Sequence, residues 1–267
     1  METVDISIRS MAFIYTLLGI PLAILWKFKI PFFQKTLIAA ARMTIQLILV
    51  GLYLKFIFEF NNMWINFTWI AFMIIIANFT VIRNAGLGLK RFFLPTAAGI
   101  AMSIIAITSV LVFLSIRPEP FYDARYLVPI AGMILGNCLR SNVISLERFY
   151  STIGSAEKQY LTYLTMGATR YEAILPYMRA AVQASLAPTI ATMATIGLVS
   201  LPGMMTGQIL GGSFPLVAIK YQIAIMIAIF SATSIATLLN ILLSIRFSFD
   251  DFDMLKDDVF GEKKKGE

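Results

Sequence analysis

Seven runs of this chain, at 8–26, 36–58, 64–82, 94–116, 127–146, 180–201 and 221–245, each approach the ~20 mostly apolar residues that a helix needs to cross a bilayer. Short turns separate them, so little sequence remains from which to build a soluble domain. Of the 267 residues, 58% are hydrophobic and 14% charged, whereas a water-soluble domain has roughly 45–50% apolar residues. In lipid every backbone N–H and C=O must be satisfied internally, and a helix does this within one segment. The expected fold is therefore all-α, a polytopic membrane bundle of about seven transmembrane helices in the cell membrane. Residues 1–246 form the membrane domain and 247–267 a charged, mobile tail.

Orientation follows from the basic residues in the short loops. Lys27, Lys29 and Lys35 follow the first span, and Arg83, Lys90 and Arg91 the third. Arg148, Lys158, Arg170 and Arg179 follow the fifth, and Arg246 the seventh. The intervening loops are poorer: Lys55 near Glu59, Arg117 and Arg125 offset by Glu119 and Asp123, and Lys220 alone. This asymmetry predicts an N-terminus outside and a C-terminus inside. Glu2 and Asp5 precede the first span where a cleaved signal would be basic, so that span is expected to be retained. The net charge of +7 reflects this loop bias and does not indicate a nucleic-acid partner.

The chemistry available within the spans is narrow. Histidine is absent, and the single cysteine, Cys138, falls inside a span, which leaves no disulfide framework or cysteine metal cluster. Carboxylates between the first and last spans fall in loops or at span ends: Glu59, Glu119, Asp123, Glu147, Glu157 and Glu172. No paired-Asp, Ser-His or metal constellation of an intramembrane enzyme can be assembled from these. A phosphate loop of the form G-x-x-x-x-G-K-[S/T] is also missing; the segment from Gly86 to Lys90 has the wrong spacing. If ATP is used, another chain must hydrolyse it. No cofactor is expected on this chain, with ATP and Mg on the partner.

The segment 147–179 is the longest connection on the inner side and reads as helical. Tyr160, Tyr163 and Leu164 recur at helical spacing until Gly167 breaks the pattern. Thr169 followed by Glu172 has the spacing of a capping box, so a new short helix should start at Arg170 and run toward Pro176. The expectation is a helix–turn–helix with its turn at the bottom of the protein.

Within the spans, Asn137, Ser141 and Ser145 form a polar stripe with Arg140 one position away, and Arg42 and Gln46 make a similar i, i+4 pair. A charged side chain at membrane depth faces a bundle interior or a watery cavity. Arg42 lies within snorkelling reach of the interface, so Arg140 is the stronger pathway candidate. Gly132 and Gly136 give the same span a face suited to close helix contact. The segment 197–212, with Ser200, Pro202, Gly203, Met204, Met205 and Gln208, is rich in glycine and methionine. Its backbone suits tight turns, and it reads either as an outer gate or as a packed hairpin.

Gly167, Ala168, Thr169, Glu172, Ala173, Pro176 and Arg179 resemble the cytoplasmic coupling loop of ABC transporter permeases, in which a Gly-Ala-Ser/Thr turn leads to Leu-Pro and the next span. Gly167 and Pro176 stand closer together than in the usual importer pattern. The run from Arg42 to Gly51, Pro129 to Met133 with Gly136-Asn137, Gly197 to Gly207, and Ile219 to Ile223 occur in order around it. Together they look like the small permease family of the bacterial Fet iron-export system and the plant aluminium-tolerance permeases. The resemblance implies a homodimeric permease, with a separate ATP-binding subunit, that moves iron or another metal outward. The residues leave other readings open: an ATP-independent channel, a secondary transporter, or an ABC permease for an organic solute. A tight metal site is hard to build from this donor set, so either a metal passes weakly held or the cargo is not a bare ion.

Overall fold

The computed structural model describes residues 6–250 and 252–261, and its regular elements are helical. Helices α1 (Ile8–Thr16) and α2 (Gly19–Lys27) stand end to end and are followed by α3 (Phe33–Phe60) and α4 (Met63–Asn84). Helix α5 (Leu89–Val110) runs on into a π-helical turn, Leu111–Ile116. Then come α6 (Ala124–Ser155), α7 (Glu157–Thr165), α8 (Arg170–Thr195), the short α9 (Gly203–Leu210) and α10 (Pro215–Ser248).

Six helical stretches among the described residues are both long and apolar enough to cross a membrane: Arg9–Lys27, Phe33–Phe60, Met63–Asn84, Leu89–Ile116, Ala124–Ser155 and Pro215–Ser248. The remaining expected span, 180–201, corresponds to α8. With 26 residues and thus about 39 Å of length, α8 is long enough, but Gln183, Ser185, Thr189, Thr192 and Thr195 dilute its apolar character. It also starts at Arg170 and stops at Thr195, so the expected boundaries were shifted toward the C-terminus.

Local chemistry sets the helix ends. The Asn62 side chain accepts from Trp64 N at 2.9 Å to cap α4, and Asp123 accepts from Arg125 N at 2.9 Å to cap α6. Asn61 closes α3 in the left-handed region (φ 37°), and its Oδ1 accepts from Ala124 N at 2.9 Å, tying the end of α3 to the start of α6. Pro215 opens α10 at a position where a missing N–H costs nothing.

The core lies among α4, α5, α6, α8 and α10, while α1–α3 sit at its edge: Ile57 is the buried residue of α3, packed with Ala124 and Val128. Helix α10 turns a face of small residues inward, with Ala228, Ala232 and Ala236 all buried, which lets backbones approach closely. The tightest approach is between α5 and α10. A Cβ placed on Gly99 would lie 2.0 Å from Asn240 Oδ1, so this crossing requires glycine. Asn240 Nδ2 donates to Asn142 Oδ1 at 2.6 Å, and Asn142 Nδ2 donates to the Cys138 carbonyl at 2.7 Å. One turn further along, Tyr150 Oη lies 2.7 Å from both Ser244 Oγ and Ser248 Oγ. A seam of polar side chains thus runs through an apolar core, linking α6 to α10.

Two expectations are corrected here. The helix that begins at Arg170 does not end near Pro176; it continues through Pro176 and Pro188 to Thr195. Each proline removes one backbone donor, a loss that helices packed in membranes tolerate. The segment 247–267 was expected as a mobile tail, and its described residues are packed. Phe249 and Val259 are buried, Gly88 N donates to Val259 O at 2.9 Å, and Gly261 N donates to Gly86 O at 3.0 Å. Residues 251 and 262–267 lie outside the described residues.

Candidate functional site

Two arrangements gather the residues singled out in the sequence. The first is the corner between α7 and α8. Ala168 N donates to Tyr163 O at 3.1 Å and Gly167 N donates to Leu164 O at 3.0 Å, the paired bonds of a Schellman helix end. Gly167 supplies the required left-handed residue (φ 90°). Immediately afterwards Thr169 caps α8: Glu172 N donates to Thr169 Oγ1 at 3.4 Å, while Thr169 N and Oγ1 donate to Glu172 Oε2 at 2.8 and 2.7 Å. These hydrogen bonds hold the Glu172 carboxyl below its usual range. One helix stop and one helix start are fused with no slack between them. The predicted capping box is present, and the corner is held by hydrogen bonds on both sides of Gly167.

This corner projects. Met166 is 79% exposed and Tyr171 54%, and Gly167, Thr169, Glu172, Pro176 and Arg179 are exposed beside them. Ala173 faces inward and is buried, and Ala168 is half-buried. The sequence reading missed Met166 and Tyr171, although an exposed apolar residue on either side of a Gly-Ala-Thr turn is visible in the chain.

The corner is braced from behind by the C-terminal segment. Arg170 pairs with the Asp253 carboxylate, and its guanidinium lies 5.8 Å from the Phe249 ring centroid. Tyr160 Oη donates to Asp253 O at 2.8 Å. Burial first and the Asp253 charge second push the Tyr160 phenol up to about 12. Arg91 pairs with Asp258, so the same segment reaches the start of α5.

The second arrangement is a half-open cavity of about 260 Å3 bordered by α6, α8, α9 and α10. Helix α6 contributes Asn137, Arg140 and Ser141, α8 contributes Ser185, Thr189 and Thr192, and α10 contributes Gln222. Pro202, Gly203 and Met204 close one side. Asn137 Nδ2 donates to Met133 O at 2.9 Å, which fixes the amide against its own helix. Gln222 is 8% exposed, and its Oε1 is buried with no hydrogen-bond partner among the described residues. Ser185, Thr189, Thr192 and Gln222 were not among the sequence candidates. The i, i+4, i+7 spacing of the three α8 hydroxyls was the signal available.

The structure does not unite every candidate. Arg42 and Gln46 share a separate cleft along the exposed face of α3 with Lys35 and Leu47. Ser200 lies in the turn after α8, and Met205 and Gln208 belong to α9 without lining the cavity. Gln208 Oε1 is buried without a hydrogen-bond partner among the described residues. Gly132 meets Met73 Cε, with 3.2 Å to an added Cβ, whereas Gly136 faces open space, so the two glycines do not serve one helix contact inside the chain. Ser145, the last member of the predicted stripe, is buried and donates to Asn142 O at 3.2 Å. Among the described residues no three His, Cys, Asp or Glu side chains come together as a metal-holding group.

Comparison with known proteins points to a family of membrane proteins. The model of an uncharacterised protein family, UPF0014, matches residues 8–249. A UPF0014 membrane protein, slr1647 of Synechocystis, is 38% identical over 224 residues, covering 83% of this chain and 86% of that relative. The protein ALUMINUM SENSITIVE 3 of Arabidopsis thaliana is 32% identical, covering 83% of this chain and 80% of its own length. The "Probable iron export permease protein FetB" of Escherichia coli is 29% identical over 92% of this chain and 93% of its own. No solved structure matches. With family-level similarity from the first helix to the end of the last, over a bundle of membrane-spanning helices, this chain belongs to the UPF0014 family of membrane proteins.

Proposed function

We propose that this chain is the membrane-spanning subunit of an ABC exporter, driven by a separate ATP-binding subunit that seats on the α7–α8 corner. The observation that carries the reading is the corner itself. A helix stop, one left-handed glycine and a capping box leave Met166 and Tyr171 standing out from a turn that cannot deform independently of α8. Movement imposed at Gly167–Thr169 would be passed along α8 to the cavity, because Ser185, Thr189 and Thr192 belong to the same continuous helix. The lack of a phosphate loop in the sequence and the name of the Escherichia coli relative support the same division of labour. By that relative's name, the first cargo to consider is iron, with another metal next.

Two copies of the chain would work together. Arg140 is exposed beside the cavity near the middle of α6, where a lone chain would leave its charge against lipid at high cost. Leu198, Val199 and Phe214, on the connections flanking α9, are strongly exposed as well. A second copy facing α6, α8 and α9 would cover both. The loop bias of Lys and Arg supports a cytoplasmic position for the α7–α8 corner, where an ATP-binding chain would be available.

The test is reconstitution of the permease with an ATP-binding subunit that co-purifies with it, with ATP-driven export read in proteoliposomes. Gly167→Trp and Glu172→Lys should each release the ATPase while the permease stays inserted. Equal co-purification and equal stimulation of the ATPase by both variants would refute the corner as its seat.

A further inference from the structure

The cavity between α6, α8 and α10 holds a single formal charge, and it is positive. Arg140 lines it, and none of the lining residues is an aspartate or glutamate. Both ion pairs among the described residues lie elsewhere, and Arg140 makes no hydrogen bond to any of them. Opposite, on α10, Gln222 Oε1 is a buried acceptor without a donor. The hydroxyls of Ser141 and Thr189 are likewise uncommitted among the described residues. The wall therefore offers a free guanidinium fork, two hydroxyls and one acceptor that lacks a proton.

We propose that this cavity binds a small oxyanion bearing its own hydroxyl, of the hydroxycarboxylate or monohydrogen-phosphate class, either free or with a metal ion attached to it. This deepens the transport reading above and rests on it. A planar guanidinium matches the paired oxygens of a carboxylate or phosphate. The ligand hydroxyl donates to Gln222 Oε1, relieving an acceptor that is costly to leave unpaired. A bare metal cation meets the opposite situation: like charge from Arg140 within low-dielectric walls, and no carboxylate to replace its water. Metal cargo would thus cross as an anionic complex. The volume, about 260 Å3, lies near the lower end of the roughly 300–1,000 Å3 of small-molecule sites and suits a small oxyanion.

Equilibrium dialysis on the full chain in lipid nanodiscs tests this, with citrate, tricarballylate, inorganic phosphate, ferric citrate and Fe2+ alone as probes. Citrate or phosphate should bind wild type, and whichever binds identifies the oxyanion source. If citrate is the ligand, tricarballylate, which lacks the hydroxyl, should bind at least about tenfold more weakly. Arg140→Gln should abolish oxyanion binding, Arg140→Lys should retain part of it, and Gln222→Leu should remove the advantage of the hydroxyl. Arg140→Lys, which keeps the charge, should elute from size exclusion as wild type does, so its partial loss of binding reports the ligand contact and not the assembly. Wild-type chain that binds neither citrate nor phosphate, or that binds Fe2+ alone more tightly than ferric citrate, overturns the proposal. An ATPase that fails to associate would refute the transport reading and leave the binding result intact. ATP-driven export of free Fe2+ that is unaffected by Arg140→Gln would refute the oxyanion and leave the transport reading intact.

Discussion

Arg170, the first residue of α8, forms an ion pair with Asp253, 83 positions further along the chain. Asp253 also accepts, through its backbone carbonyl, the hydroxyl proton of Tyr160 on α7. The C-terminal segment therefore holds both helices of the corner at once. Each partner of the pair is about one-third exposed, so the charge interaction itself contributes under about 1 kcal/mol. Its effect is to keep the segment in place. Asp253→Ala should leave the bundle folded and speed tryptic cleavage after Lys256 several-fold. Cleavage at the wild-type rate would show that the buried Phe249 and Val259 hold the segment alone.

The crossing of α5 and α10 depends on Gly99. Adding one methyl group there drives it into Asn240 Oδ1, and overpacking of this kind costs about 1–3 kcal/mol. Gly99→Ala should lower the thermal midpoint in detergent by several degrees. Asn240→Ala in the same chain should recover part of that loss by removing the clash, although it leaves Asn142 Oδ1 without its donor. A double variant no more stable than Gly99→Ala alone would place the strain elsewhere.

The capping box should respond to acid. The Glu172 carboxyl is held below its usual range by the Thr169 hydroxyl and amide, so it stays ionised in the fold after an unfolded chain would have taken up a proton. The contribution of the cap is complete above the ordinary glutamate range and is lost as the pH falls through the lowered value. Hydrogen exchange of the amides at the start of α8 should show protection that weakens with acid in wild type. Glu172→Gln, with no proton to gain, should show no such step, and matching pH profiles would contradict the role given to the carboxylate.

Topology can be checked with single cysteines in a Cys138→Ala background. Ser213, in the turn before α10, and Ser155, at the end of α6, are both exposed in the chain. Ser213→Cys should react with an impermeant thiol reagent in intact cells and Ser155→Cys only after lysis. Labelling of Ser155→Cys from outside would invert the arrangement.

Much of the architecture could be read from residue type and order alone. Long apolar runs can only be helices in lipid, so five of the seven expected spans fall within α3, α4, α6, α10 and α5 with its π-helical turn, and the first overlaps the α1–α2 pair. Gly167, Thr169 and Glu172 act through bonds between neighbours in sequence, and their capping box was therefore visible before any fold. The prolines misled because Pro176 suggested a helix end, whereas packing in the bundle carries α8 through it. What only the tertiary structure decided depends on partners distant in the chain. Periodicity could not show that Gly99 makes room for Asn240, that Asp253 returns to Arg170, or that Gln222 shares a cavity wall with Arg140. Composition made 247–267 look like a solvated tail, because its charges outnumber its apolar residues. Its apolar groups find a place only in the fold: Val259 is buried beside the turn between α4 and α5, where Gly88 N donates to its carbonyl, and Phe249 packs against Tyr160 of α7.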